Sequence, residues 1–137
     1  MYETNTDVRS SSSLEPCGSD DHDDCGIRLI LDRLGERWTV MALAELSVGP
    51  RRYRELERAL EGISQRMMTL TLRRMERDGY VLRHVEKTIP PKVTYELSEL
   101  GRSFAAQVAM LVGWTRQNKS VIERAQVNFD AQLEKKE

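Results

Sequence analysis

The stretch GISQRMMTLTLRRMERDGYVLRH constrains the fold more than any other part of the chain, because the spacing of its apolar residues changes from that of a helix to that of a strand. Met68, Leu72 and Met75 are spaced for one face of an α-helix, and Ser64 is placed to cap the start of that helix. Gly79 supplies the left-handed backbone conformation that is typical just beyond a helix terminus. The stretch therefore predicts a capped helix of roughly 14 residues, followed by a β-strand.

Helical spacing of apolar residues continues upstream of this stretch. Ile27, Ile30, Leu31 and Leu34 predict a first helix with one apolar face, and Gly35 ends it. The segment RWTVMALAELSV predicts a second helix, which the following Gly-Pro cannot continue, and YRELERAL predicts a third. Three helices are thus expected before the capped helix.

A β-hairpin and a helical C-terminal region are expected downstream. Residues 80–86 and 93–97 are rich in β-branched and aromatic side chains, and the connection KTIPPK is too long and too rich in proline for a tight turn. Ser98 then caps a long helix, and a last helical segment begins near residue 121. These helices carry more apolar surface than one small core needs, so part of it should face a second copy of the chain. The residues expected on the buried side of the long helix are Leu100, Phe104, Val108, Leu111 and Val112.

Length and charge place these elements in one domain with a separate acidic tail. The chain has 137 residues, 39% of them hydrophobic, which suffices for one core. Residues 1–24 hold seven acidic residues against one arginine and few apolar side chains, so we expect a disordered tail. Residues 51–92 hold eleven basic against six acidic residues, although the net charge of the chain is −1. A basic middle segment can bind phosphates despite an acidic average. With no apolar run of membrane-spanning length and no secretory signal, a soluble cytoplasmic protein is expected.

The order of elements predicts a mostly α fold with a small β-hairpin, arranged as a winged helix-turn-helix with extra N- and C-terminal helices. On the outward face of the capped helix, glutamine, arginine and threonine have the chemistry that reads adenine, guanine and thymine edges in the major groove. Such residues on a helix are usually only solvated. The cap, the polar face, the glycine stop and the hairpin together favour base readout by Gln65, Arg66, Thr69 and Arg73.

Six further basic residues are placed to hold DNA phosphates, three at the start of the third helix and three in the hairpin. Phosphate contacts fix the register of a protein on DNA without reading its sequence, and they make binding strongly dependent on salt. The six are Arg51, Arg52, Arg54, Arg83, Lys87 and Lys92.

The motifs RRYRELERALEGIS, RRMERDGYV and PPKVTYELSELG, followed by Trp114, resemble the HxlR-type transcriptional regulators, a MarR-related branch of the winged-helix proteins. The resemblance spans residues 25–115 and implies a homodimer, formed by the first and C-terminal helices, on an inverted-repeat operator in double-stranded DNA. Arg37, Tyr53 and Leu70 depart from residues common in the family, and Leu70 stands where polar residues are frequent. The expected division is a tail at 1–24, a DNA-binding domain at 25–118 and a dimerisation helix at 119–137. The residues expected at the dimer interface are Ile27, Ile30, Leu31, Leu111, Trp114, Ile122 and Phe129.

Cys25 aligns with a cysteine that senses oxidants or electrophiles in some family members. A helix N-terminus stabilises a thiolate, whereas the four aspartates of DDHDDC oppose one, so both a redox sensor and a small residue packed at the dimer interface remain open. Cys17 is a candidate resolving partner within the tail. The segment DDHDDC has mixed and loosely organised metal ligands, so a solvated acidic lead-in is favoured over a metal site.

Two other functional classes compete with a DNA-binding regulator. A winged-helix module that binds protein would leave Arg66 and Arg73 without a role. An enzyme is disfavoured because the chain has only two histidines, His22 and His84, and no glycine-rich phosphate loop. No metal and no cofactor are expected.

Overall fold

The computed structural model describes residues 26–136, apart from the side chain of Arg28. The described chain divides into a short unit that contains the first helix and ends at Gly35, and a main unit that begins at Glu36. The described elements, in chain order, are α1 (Gly26–Leu34), α2 (Arg37–Val48), β1 (Arg51–Arg52), α3 (Tyr53–Ala59), α4 (Gln65–Arg77), β2 (Val81–Glu86), β3 (Lys92–Leu97) and α5 (Glu99–Glu134).

The predicted helix order and the hairpin are confirmed, and two features differ from the expectation. A two-residue strand, β1, precedes α3 directly and was not predicted, because it is too short to show a period of its own. The C-terminal helices that the sequence separates near residue 119 form one continuous helix of 36 residues, because no glycine or proline interrupts that boundary.

The three strands form an antiparallel sheet in the order β1-β3-β2. Strand β3 lies in the middle, where Tyr95 pairs with Arg51 on one side and with Arg83 on the other. The hairpin register runs from Val81 opposite Leu97 to Glu86 opposite Lys92. The start of α3 is therefore attached to the second strand of the hairpin.

The core of the main unit lies between α2, α3, α4 and the base of the sheet. Met68, Leu72 and Met75 of α4 are buried, as their spacing predicts. Thr39 and Thr71 are buried with them. The other buried hydrophobic residues are Ala42, Leu43, Leu46, Leu56, Leu60, Val81, Tyr95 and Leu97.

Both ends of α4 form as the sequence predicts. The Ser64 hydroxyl accepts a hydrogen bond from the Met67 N–H at 3.1 Å and so caps the helix. At the other end Gly79 has φ of 82°, and the Tyr80 N–H donates to the Met75 carbonyl at 2.9 Å. This pattern is a Schellman-type end, which directs the chain from α4 into β2.

The start of α5 packs tightly on the turn between α4 and β2. Ser98 caps α5 by accepting from the Gly101 N–H, and its own N–H donates to the Tyr80 carbonyl at 3.0 Å. The rings of Tyr80 and Phe104 stack with centroids 4.8 Å apart. A Cβ built on Gly101 would lie 2.0 Å from the Tyr80 carbonyl oxygen, so this position admits only glycine without a shift of the backbone.

Most of α5 lies outside this core. Phe104 and Val108 are half-buried as expected, but the burial predicted for Leu100, Leu111 and Val112 is wrong for this chain by itself, since all three are exposed. They extend from the core because α2 and β3 cover only the first part of the helix, and every residue from Lys119 to Glu134 is exposed. None of the described helices is long and apolar enough to cross a membrane.

Candidate nucleic-acid interface

The four predicted readout residues lie on one exposed face of α4. Gln65, Arg66, Thr69 and Arg73 are all exposed and fall within an arc of roughly 100° around the helix axis, at 100° per residue. Gln65, Arg66 and Thr69 belong to the first turn and a half, which is the part of a recognition helix that reaches base edges. The buried seam of Met68, Leu72 and Met75 lies on the adjacent side of α4 and holds the helix in the core with this polar face outward.

An open groove of about 760 Å³ lies between α4 and the face of the hairpin that carries Arg83. Three arginines line it, Arg73 and Arg77 from α4 and Arg83 from β2, against the single carboxylate of Glu76. The remaining lining residues are Tyr53, Thr69, Val93 and Tyr95. Three guanidinium groups with two phenol rings make a surface that suits a phosphate chain, since arginine binds phosphate through paired N–H donors and tyrosine hydroxyls add further hydrogen bonds.

Arg77 and Tyr95 belong to this groove and were not among the predicted site residues. The signal for Arg77 was present, because it follows Arg73 by one helical turn and therefore shares its face. Tyr95 could be placed only by the strand register, which sets it directly opposite Arg83.

The predicted phosphate-binding residues are not all brought together. Arg83 lines the groove, whereas Arg51 and Arg52 lie on the opposite edge of the sheet, in β1. Arg52 is exposed, and Arg51 is half-buried with its guanidinium donating to the Pro50 carbonyl at 3.2 Å. Arg54 is exposed in the first turn of α3. Lys87 and Lys92 are exposed at the far end of the hairpin. Of the six predicted phosphate-binding residues, Arg83 alone lines the groove.

Arg74 shows why charge alone does not identify the DNA-facing residues. Its guanidinium pairs with the Glu36 carboxylate at 2.9 Å, and the same carboxylate accepts from the Thr39 hydroxyl at 2.7 Å. Arg74 thus ties α4 to the start of α2, whereas its neighbour Arg73 faces the groove. This ion pair therefore adds a polar contact between α4 and α2 to the packing of the buried seam.

Two apolar side chains also lie at the surface of α4. Met67 and Leu70 are 37% and 38% exposed, next to the polar readout residues. An apolar side chain at this place can contact the methyl group of thymine or rest on a neighbouring helix, and both roles are open for Leu70. His84, on the outer face of the hairpin, pairs with Glu96 at 2.8 Å and does not line the groove.

The cysteine and metal hypotheses fall on Cys17, Cys25 and the DDHDDC segment, which lie outside the described residues. Within residues 26–136, no group of histidine, cysteine or acidic residues is arranged to hold a metal ion.

The known proteins that this chain resembles are transcriptional regulators. A family model described as an HxlR-like helix-turn-helix matches residues 33–123. The HTH-type transcriptional regulator YdeP of Bacillus subtilis is 38% identical over 106 residues, which cover 77% of this chain and 83% of YdeP.

Two solved structures are similar over most of the chain. The transcriptional regulator YtfH from Salmonella typhimurium superimposes with a TM-score of 0.67 at 30% identity, over 80% of this chain and 97% of YtfH. The redox regulator HypR in its reduced form has a TM-score of 0.67 at 36% identity, over 72% of this chain and 98% of HypR.

Proposed function

The chain belongs to the HxlR-like helix-turn-helix family of transcriptional regulators, and on that premise we propose that it acts in the cytoplasm as a homodimer on an inverted-repeat operator. In this proposal α4 enters the major groove, and Gln65, Arg66, Thr69 and Arg73 read base edges. The hairpin of β2 and β3 lies along the DNA backbone. The protein controls transcription by occupying that operator and has no enzymatic role.

One observation carries the proposal: the exposed face of α4 and the arginine-lined groove beside it are continuous. Thr69 and Arg73 belong to both, so a duplex whose bases meet α4 presents its phosphates to Arg77 and Arg83. Readout and phosphate binding are thereby joined on one surface.

The homodimer is supported by apolar surface that the chain does not bury by itself. In α5, the side chains of Leu111, Trp114 and Phe129 are between 51% and 61% exposed. Ile122 is also exposed, as are Ile30 and Leu31 of α1, while Ile27 is half-buried. Patches of this kind mark protein interfaces, and α5 is roughly 54 Å long at 1.5 Å per residue, so a second copy can bury its outer half. A two-fold dimer places two α4 helices in successive major grooves, about one helical turn apart.

We also propose thiol-based sensing through Cys25, in which an oxidant or small electrophile modifies the thiol and alters operator binding. The similarity to HypR, a redox regulator, supports this part of the proposal. Mass spectrometry after diamide or quinone treatment, paired with operator titrations, tests it. Modified Cys25 with unchanged operator affinity would refute the sensor.

The central test compares Arg66→Ala with Lys92→Ala after the operator has been identified by sequencing duplexes that the purified protein selects from a random pool. Arg66→Ala should weaken operator binding and relax discrimination by about 1 to 3 kcal/mol, because a bidentate contact to guanine is lost. Lys92→Ala should lower affinity evenly across sequences.

Arg102→Ala is the matched control, since Arg102 is exposed at the start of α5 and does not line the groove. Equal and small effects of Arg66→Ala and Lys92→Ala would contradict readout by α4. No binding to any duplex at low salt would instead indicate a winged-helix module that binds protein.

A further inference from the structure

Among the described residues, Glu76 is the one acidic side chain that lines the DNA-facing groove, and its position is unfavourable on two counts. It lies in the last turn of α4, where the helix dipole disfavours a negative charge. It also lies among Arg73, Arg77 and Arg83, in a groove that suits a phosphate chain. Its carboxylate makes no ion pair or hydrogen bond with any residue that the structure describes. Residues that break local rules without a structural gain are concentrated at functional sites.

Helical geometry places Glu76 on the readout face of α4. Glu76 follows Thr69 by seven residues, which is about two turns, and it follows Arg73 by three. Thr69 and Arg73 are two of the four readout residues of the proposed function, and Glu76 is exposed with them. A duplex whose bases meet this face therefore presents base edges to Glu76 as well. A duplex that is held only by the arginines presents phosphates to it.

These two kinds of contact act on a carboxylate in opposite ways, because a carboxylate only accepts hydrogen bonds. In the major groove the donors are the exocyclic amines of cytosine and adenine, and glutamate can accept from N4 of cytosine. Phosphate oxygens are negatively charged acceptors. A phosphate placed against Glu76 is therefore repelled, and it leaves the carboxylate without a donor.

We propose that Glu76 is a specificity-determining residue, which accepts a hydrogen bond from a base amine of the operator and opposes complexes held by phosphate contacts alone. Binding to random DNA depends almost entirely on charge, so a carboxylate in the phosphate groove weakens it directly. On the operator, the hydrogen bond from the amine offsets this repulsion. The inference rests on the proposed DNA-binding function.

Glu76→Gln removes the charge with little change of shape, and its effect is measured with the full chain on two duplexes of equal length. One is the operator that the wild type selects from a random pool, and the other has a mixed sequence. Affinity for the mixed-sequence duplex should rise about fivefold per subunit, as expected when one close charge repulsion is lost. Affinity for the operator should rise less or fall, so discrimination should decrease. Equal changes on both duplexes, or no change on either, would overturn the inference.

Two further variants separate the local charge from other effects. Glu76→Asp keeps the charge, so its affinity for the mixed-sequence duplex should stay close to that of the wild type, and a rise equal to that of Glu76→Gln would overturn the role of the charge. Glu134→Gln changes the net charge equally, at an exposed position at the end of α5, and should alter neither affinity. An equal rise in Glu134→Gln would show an effect of net charge alone and would also overturn the inference.

Thermal unfolding followed by circular dichroism tests whether Glu76 has a structural role instead. Glu76→Gln should unfold at the wild-type temperature or above it, because a negative charge is removed from the C-terminal turn of α4. A lower unfolding temperature would show that the carboxylate stabilises the fold, and the assignment to specificity would be wrong.

The base is identified by selecting duplexes from the random pool with Glu76→Gln. At one position of each half-site, the wild-type preference for cytosine or adenine should be lost, and the base concerned tells N4 of cytosine from N6 of adenine. An unchanged selection would refute base readout by Glu76 while the DNA-binding function stands. If the wild type itself selects no operator, the DNA-binding function fails.

Discussion

Replacing Gly101 with alanine should destabilise the domain, although alanine is ordinarily the better helix former. The new methyl carbon would lie 2.0 Å from the Tyr80 carbonyl oxygen, 3.0 Å from the Tyr80 carbonyl carbon and 3.2 Å from Leu97 Cδ2. A carbonyl cannot rotate away as a side chain can. The start of α5 or the turn before β2 must therefore move, which strains the hydrogen bond from the Ser98 N–H to the same carbonyl.

The free energy of unfolding should fall by about 1 to 3 kcal/mol. Overpacking costs about 1 to 3 kcal/mol, and a weakened backbone hydrogen bond adds about 1 kcal/mol. Replacing glycine by alanine inside a helix returns about 1 kcal/mol of that loss. The last two contributions nearly cancel, so the net effect is close to the steric cost alone and its sign is set by the backbone clash.

Urea unfolding followed by circular dichroism, at one fixed protomer concentration, measures this difference. Gly113→Ala is the matched control, because Gly113 lies in the same helix and a Cβ there would meet no atom within 4 Å. Gly113→Ala should raise the free energy of unfolding by up to about 1 kcal/mol. Equal stability of the two variants would refute the packing argument.

Three further outcomes are expected. Ser64→Ala should lower the free energy of unfolding by about 1 kcal/mol, because the Met67 N–H loses its cap, and Ser64→Asp should restore most of it; equal stability of the two variants would contradict the capping role. A double-mutant cycle with Glu36→Gln and Arg74→Gln, followed by thermal unfolding, should give a coupling of about 0.5 kcal/mol that shrinks in high salt, since the pair is partly exposed; a coupling independent of salt would argue against an ionic contact. Arg77→Gln should reduce the slope of log operator affinity against log salt by about one unit per subunit, and an unchanged slope would exclude a phosphate contact at this residue.

The sequence predicted α4 well because everything that defines that helix is local. The cap at Ser64, the seam through Met68 and Leu72, and the glycine stop at Gly79 all lie within one short segment, so spacing alone assigned its buried and exposed faces. The outward positions of Gln65 and its neighbours followed from the same spacing.

Other features depend on residues that are distant in the chain, and spacing carries no information about them. The ion pair between Glu36 and Arg74, the strand pairing of Arg51 with Tyr95, and the approach of Gly101 to Tyr80 all required the fold itself. Arg77 is a different case. Its spacing from Arg73 already places both residues on one face of α4, but the sequence did not indicate that Arg77 lines the groove.

Because β3 lies between β1 and β2, the tip is the part of the hairpin whose length can change without breaking a strand pair. Both strands of the hairpin are paired along their whole length, and the second is also joined to the segment that begins α3, so the base of the wing is part of the rigid frame. Only residues 87–91, at the tip, lie outside the pairing. Chimeras that exchange this tip for shorter or longer loops should therefore change how far the hairpin extends beyond the sheet while α4 keeps its place.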